Sequence, residues 1–296
     1  MSRPMPDPAA PADPEARPAS SSAELPVMDH PYVPPSPSGP QALMRPLGPA
    51  DPLRWLARGA RDLAASPGIA LFYGACLWTM ALVLGLVFRN RPEYTLSIAS
   101  GCLLVGPFLA MGLYEVSRRR ELGLRPELGA SLTCWDAHLR SMAMLVLVLI
   151  VLELLWGRAS LVVFAVFFNT GMPSTTGVLQ AVFNPQNWEF VAVYLGVGAL
   201  FAALVYATTV VSIPMVLDRD TDAVSAAITS LRVVFANPGV MLLWGLVISA
   251  LVVLALLPWG LGLWLVGPWL GHASWHAYRG AVEWREAPPA APEAAA

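Results

Sequence analysis

The sequence predicts an all-α polytopic membrane protein, with six transmembrane helices arranged as three hairpins and an amphipathic interfacial helix before each hairpin. Three observations carry this. The 296 residues are 56% hydrophobic and 13% charged, against roughly 25% charged in a soluble domain. The apolar residues gather in six runs near the roughly 20 residues that cross a bilayer. Three of those runs also share punctuation: in LLVGPFLAMGLYEVSRRR, Arg118 follows Gly106-Pro107 at the offset that separates Arg279 from Gly267-Pro268 in LVGPWLGHASWHAYRG, and SIPMVLDRD, with Pro214 and Arg219, is a looser copy.

Residues 1–49 are rich in proline, alanine and serine and too poor in apolar side chains to bury a core, which predicts a disordered cytoplasmic tail. The first apolar run begins near Gly68, far from any basic start, so no secretory signal is expected. Residues 50–282 form the membrane domain, and 283–296 a second disordered tail. Asp51 is the expected N-cap of an amphipathic helix with Pro52 at its first position. In that helix Leu53, Trp55, Leu56 and Leu63 would face the membrane, and Arg54, Arg58, Arg61 and Asp62 water or lipid head groups.

The spans follow in order. Gly68 to Phe88 is the first, and Tyr94 to Val116, containing Gly106-Pro107, the second. The third begins near Ser141 and stays apolar to Phe168 except at Glu153 and Arg158. That is too long for one upright helix, so it either tilts or ends near Trp156, with Leu161 to Phe168 packing separately. Phe190 to Leu217 is the fourth, Pro238 to Leu257 the fifth and Pro258 to Tyr278 the sixth. Arg45, Arg54, Arg58, Arg61, Arg118, Arg119, Arg120, Arg125, Arg140, Arg219, Arg232, Arg279 and Arg285 collect on one side, against Arg89 and Arg91 on the other. This bias places both termini in the cytoplasm and the Asn169 to Glu189 loop outside.

The chain also repeats itself. DLAASPGIALFYG from Asp62 matches RVVFANPGVMLLWG from Arg232, which sets Pro67 and Pro238 at equivalent helix starts. Amphipathic stretches from Asp51, Glu127 and Thr221 precede the odd-numbered spans, and a proline-bearing span closes each unit. Gly106, Pro107, Pro214, Gly267 and Pro268 are thus the expected helix-break positions, converging as broken helices do around transporter cavities. Gly106, Gly112, Gly267 and Gly271 would allow close helix approach.

Candidate functional polar residues are Glu115, His138, Glu153, Arg158, His272 and His276. Glu153 and Arg158 lie nearest the membrane interior, where an ionisable side chain is costly enough to suggest a role; they stand about 140° apart on a helix, poorly placed to pair, and both become interfacial if the span ends at Trp156. His272 and His276 share a helix face, and with His138 and Glu115 could outline a four-ligand set. HASWH lacks the glutamate of HExxH, however, and histidine and tryptophan are ordinary interfacial anchors. No metal and no cofactor are assigned. Cys76, Cys102 and Cys134 form no CxxC pair and read as packing residues. No hydrolase elbow, Walker loop or Rossmann fingerprint occurs, so no enzyme is expected. The formal charge of -2 argues against nucleic-acid binding.

DPLRWLARGARDLAASPGIALFYG, LLVGPFLAMGLYEVSRRRELG, LLWGRASLVVFAVFF and VGPWLGHASWHAYR together resemble a bacterial family of integral membrane proteins filed as domain of unknown function twenty-one eighty-nine. The resemblance extends from about Arg45 to Val282 and implies a multi-span inner-membrane protein without assigned catalytic or binding residues. Proteins similar to these are sometimes labelled cytochrome c oxidase subunit I-like. The expected function is non-enzymatic handling of a small solute or lipid, or support of a membrane complex. The alternative is a subunit or accessory of a respiratory, cytochrome oxidase-type complex. The expected partners are the lipid bilayer and a membrane-protein partner or second copy, whose identity the sequence does not give.

Overall fold

The computed structural model describes residues 41–91, 94–168 and 187–285. A strand β1 (Gln41–Met44) leads into α1 (Asp51–Ala65), α2 (Pro67–Asn90), α3 (Thr95–Glu121), α4 (Leu128–Thr133), a 3-10 turn (Asp136–His138) and α5 (Leu139–Phe167). After these come α6 (Trp188–Thr209), α7 (Ser212–Arg219), α8 (Ala223–Ala236), α9 (Pro238–Leu256), α10 (Leu263–Ala281) and β2 (Val282–Arg285). The two strands pair antiparallel, Gln41 opposite Arg285 and Met44 opposite Val282. Residues assigned by sequence to the two tails are therefore ordered where they meet; the remainder of those tails, 1–40 and 286–296, lies outside the described residues, as does most of the Asn169 to Glu189 loop.

Among the described residues, five helical stretches are long and apolar enough to cross a membrane: Pro67–Asn90, Thr95–Glu121, Leu128–Phe167, Trp188–Arg219 and Pro238–Leu256. The sixth expected span does form a helix, α10, but is not among the five. Histidine, tryptophan and arginine dilute its apolar character, and it spends that polarity on protein contacts. Its residues Pro268, Leu270, His272, Trp275, His276 and Tyr278 are all buried, and it packs on α1, α2, α3, α7 and α9. The rest of the molecule is assembled around it.

The third span is one continuous helix to Phe167, so Leu161 to Phe167 continues it. At 1.5 Å per residue its 29 residues measure about 44 Å, longer than a hydrocarbon core of about 30 Å. Glu153 consequently stands at its midpoint. The fourth span instead divides into α6 and α7, with the break between Thr209 and Ser212. Pro214 lies in the first turn of α7, just past the break, and Ser230 of α8 takes up the groups around the break. Its hydroxyl donates to the Ala207 carbonyl at 2.7 Å and accepts from the Val211 N–H at 3.2 Å. Ser230 is fully buried, so no water is needed there.

The other proline positions do not break their helices: α3 runs through Gly106-Pro107 and α10 through Gly267-Pro268. Pro268 leaves the Trp264 carbonyl without its helical donor. Gly74 of α2 packs directly on that oxygen, where a Cβ would overlap it. Pro107, Pro214 and Pro268 are each buried, and α3, α7 and α10 pack against one another. The glycine contacts differ from expectation at one site. Gly112, Gly267 and Gly271 face Tyr73, Leu77 and Leu113 closely, whereas Gly106 meets open space.

A shorter helical element precedes each of α2, α5 and α9: α1, then α4 with the 3-10 turn, then α8. Asp51 is the first helical residue of α1 and not its N-cap; its carboxylate accepts from the Gly48 N–H at 2.7 Å. The buried stripe of α1 is Pro52, Trp55, Gly59 and Asp62, set against α10. A Cβ at Gly59 would come 2.7 Å from the Ala273 nitrogen. Asp62, expected to face water, is therefore buried, because it follows Trp55 and Gly59 at the helical spacing that defines that stripe. Leu53 is 68% exposed on the outer face.

The core gathers at the arginine-rich end, where α1, α7, α8 and α10 add a layer to the long helices. Trp55, Met111, Met142, Val216, Trp244 and Trp275 meet there, with Trp55 edge-on to Trp244 at 5.4 Å. Towards the other end large apolar side chains such as Val83, Leu104, Leu155 and Val166 point outward. In lipid that exposure carries no hydrophobic penalty.

Candidate functional site

Two sets of polar side chains are buried by this architecture. The larger lies at the arginine-rich end, where α1, α3, α7 and α10 meet. Position 276 is four residues beyond 272, so both histidines project from one face of α10, but each finds its own partner. The His272 Nδ1 lies 2.9 Å from the Ser117 hydroxyl. The His276 Nε2 lies 2.8 Å from Asp62 Oδ2, and its Nδ1 is 3.4 Å from Glu121 Oε1. His276 thus sits between two carboxylates. Arg120 Nε stands 3.0 Å from the other Asp62 oxygen.

The network continues along α10. Arg279 reaches Glu121 at 3.2 Å and Asp218 at 3.4 Å. The Tyr278 hydroxyl donates to Asp218 at 2.7 Å and accepts from the Trp284 indole N–H at 3.0 Å. Carboxylates and cations therefore alternate from α1 through α3 to α7 and β2. Burial by itself raises the Asp62 carboxyl, yet hydrogen bonding to His276 and Ser117 and the charges of His276 and His272 hold it below the ordinary aspartate value. The arrangement ties four elements together by charge-assisted hydrogen bonds.

His138 and Glu115 do not join His272 and His276. The His138 Nδ1 lies 2.9 Å from Asp220, at the left-handed turn that ends α7. Glu115 accepts from Arg118, one turn along α3, at 2.9 Å. The four-ligand set outlined by the sequence is thus dispersed over four separate pairings. Among the described residues, no group of three or more histidines, cysteines and carboxylates is placed to hold a metal ion.

The second set is small and lies at the depth of the long helices. Glu153 is buried, 8% exposed, and its Oε2 accepts from the Ser100 hydroxyl of α3 at 2.7 Å. Arg158 is exposed on the same helix and does not pair with it. Glu153 lines a hollow of about 300 Å³ between α3, α5 and α6, whose other walls are apolar. A second apolar hollow, of about 340 Å³, lies beside the α1 to α2 junction, between Ala60, Leu63, Pro67 and Trp264.

Sequence reasoning singled out His272, His276 and Glu153 but missed their partners Asp62, Ser117, Glu121 and Ser100. Asp62 and Glu121 could have been found: Asp62 continues the Trp55 and Gly59 stripe, and Glu121 closes the SRRRE run that begins at Ser117. Ser100 carried no signal, because a serine in a span ordinarily bonds its own helix; here the Leu96 carbonyl, 3.0 Å from its Oγ, shares the one hydroxyl proton with Glu153.

No curated protein and no solved structure matches the chain. Residues 95–218, from the start of α3 almost to the end of α7, match the family model described as "Predicted integral membrane protein (DUF2189)". That stretch lies within the Arg45 to Val282 resemblance, and the family it matches is the one the motifs suggested, integral membrane proteins of unknown function.

Proposed function

We propose that this protein is a multi-pass protein of the bacterial cytoplasmic membrane, with both termini in the cytoplasm, that handles a small solute or lipid without covalent chemistry. The observation that supports the reading is the apolar hollow between α3, α5 and α6, which opens at the depth of the membrane-spanning helices and carries one buried carboxylate. Sites for small ligands are concave, mostly apolar and furnished with few polar groups. The hollow has that composition.

The three-unit repeat belongs to the same proposal. Its support is local: Ser66 and Asn237, the residues before Pro67 and Pro238, take nearly the same backbone angles, φ -135° and ψ 56° against φ -131° and ψ 53°. In both places an amphipathic helix turns into a span at a proline. The sixth hydrophobic segment, α10, serves in this reading as the closing helix of the third unit.

The test is purification in native lipid, followed by mass spectrometry of co-purified molecules and an absorbance spectrum. A small molecule or one lipid species enriched over the bulk membrane supports the proposal. A composition identical to the bulk membrane overturns it, and a Soret band at haem stoichiometry replaces it with the respiratory-complex reading.

A further inference from the structure

Glu153 is an unusual residue for its position. It stands at the midpoint of α5, flanked by LVLIVL before and LLW after, where an ionised carboxylate is costly unless something of opposite charge meets it. The protein supplies only half of what the group needs. Oε2 accepts from Ser100, while Oε1 is buried and has no hydrogen-bond partner among the described residues. Arg158, the nearest arginine in sequence, is exposed and does not pair with it.

The hollow that Glu153 lines decides what could complete it. Leu103, Leu149, Trp156, Phe201 and Val205 give it apolar and aromatic walls. Gly198 stands opposite Trp156, where a Cβ would make an ordinary contact at 3.7 Å with the indole nitrogen and only a longer side chain would fill the hollow. The site therefore offers the unpartnered Glu153 Oε1 as an acceptor, beside π faces that favour a cation. It presents no cationic group to an anion. A divalent metal would require several oxygen ligands, and the one carboxylate and one hydroxyl here are too few.

We propose that this hollow binds a small apolar amine in its protonated form, with the ammonium on Glu153 Oε1 and a hydrocarbon body against Trp156 and Phe201. The volume lies at the lower end of small-molecule pockets, about 300–1,000 Å³, so the body is a single ring or a short chain. This rests on the reading of the hollow as a ligand site and adds to it the charge of the ligand.

The experiment uses the full chain in detergent micelles, radiolabelled 2-phenylethylamine at pH 7, where it is an ammonium, and its neutral analogue 2-phenylethanol. Saturable binding is measured as the counts displaced by excess unlabelled compound. The expected result is that the amine binds at least about tenfold more tightly than the alcohol, the scale of one charge-assisted hydrogen bond in a buried site. Glu153→Gln should abolish that preference while leaving alcohol binding in place. Gly198→Leu, which keeps Glu153 but fills the hollow, should abolish both. Equal binding of amine and alcohol to the unaltered protein overturns the cation assignment while the hollow remains a ligand site, and that outcome needs no variant to fold. Absence of saturable binding by either compound overturns both readings. Amine binding that survives Gly198→Leu in a protein folded by circular dichroism and gel filtration places the ligand elsewhere and also overturns the proposal.

Discussion

Asp62 occupies a buried position on α1 and is held from two directions, by His276 at 2.8 Å and Arg120 at 3.0 Å. Asp62→Asn removes the charge and leaves both cations facing a neutral amide. Breaking a buried pair costs about 3–5 kcal/mol, and the partial exposure of Arg120 brings the expected loss to about 2 kcal/mol. Thermal unfolding in detergent measures it. Because the folded carboxyl lies below its ordinary value of 3.8, its stabilisation is complete above the ordinary value and is lost as the pH falls through the lower, folded one. Because Asp62 also raises the His276 pKa, the gap between the unaltered protein and Asp62→Asn should widen or hold as the pH falls from 7 to 5 and close only in strong acid; a gap that closes near pH 6 would contradict this assignment. The glycines give a second contrast at this scale. Gly59→Leu must force α1 away from the Ala273 backbone, costing about 1–3 kcal/mol or more by overpacking. Gly106→Leu meets open space and should leave the melting temperature within the effect of a surface change, about 0.5 kcal/mol.

The break between α6 and α7 shows how one element can depend on a side chain from another. The break falls ahead of Pro214, and the segment remains buried because Ser230 answers both the Ala207 carbonyl and the Val211 N–H. Ser230→Ala leaves two buried backbone groups unpaired at a cost of about 1–3 kcal/mol. Ser230→Thr keeps the hydroxyl and should recover part of that loss. Limited proteolysis near Val210 gives the local readout, since a loosened break becomes a cleavage site before the protein as a whole unfolds. Proteolysis unchanged in Ser230→Ala would show that the packing of α7 alone holds the break. The end of α3 is closed differently. Gly123, at φ 71°, lets the Gly123 and Leu124 N–H groups return to the Arg120 and Arg119 carbonyls, the Schellman arrangement that favours glycine.

At the scale of the whole molecule the core is displaced to one end. Short helices, both strands and the ion-pair network gather where the arginines are, while the far halves of the long helices present apolar surface. By arginine bias that end is expected on the cytoplasmic side. Reporter fusions after Arg120, Arg219 and Arg285 should all report cytoplasm and one at Pro173 the periplasm. A cytoplasmic signal at Pro173 would overturn the topology. The position of α10 matters to this outcome, because a helix that packs on five others is held by the protein at least as much as by the bilayer.

Several features of this architecture were legible in the sequence because local chemistry sets them. The long apolar runs, the helix starts at Pro67 and Pro238 and the amphipathic α1 need only composition, proline geometry and helical spacing. The site was legible in part: His272, His276 and Glu153 stand out as polar residues in apolar surroundings, but their partners come from helices far away in the chain. Tertiary structure alone decided that Asp62 turns inward to His276, that Glu115 and His138 pair elsewhere and that Ser100 reaches Glu153. It also decided that Pro214 accompanies a break while Pro107 and Pro268 do not. The physical reason is the same in each case. A buried polar group or a freed carbonyl is stable only where a partner meets it, and helix packing determines which distant residue stands within hydrogen-bond reach.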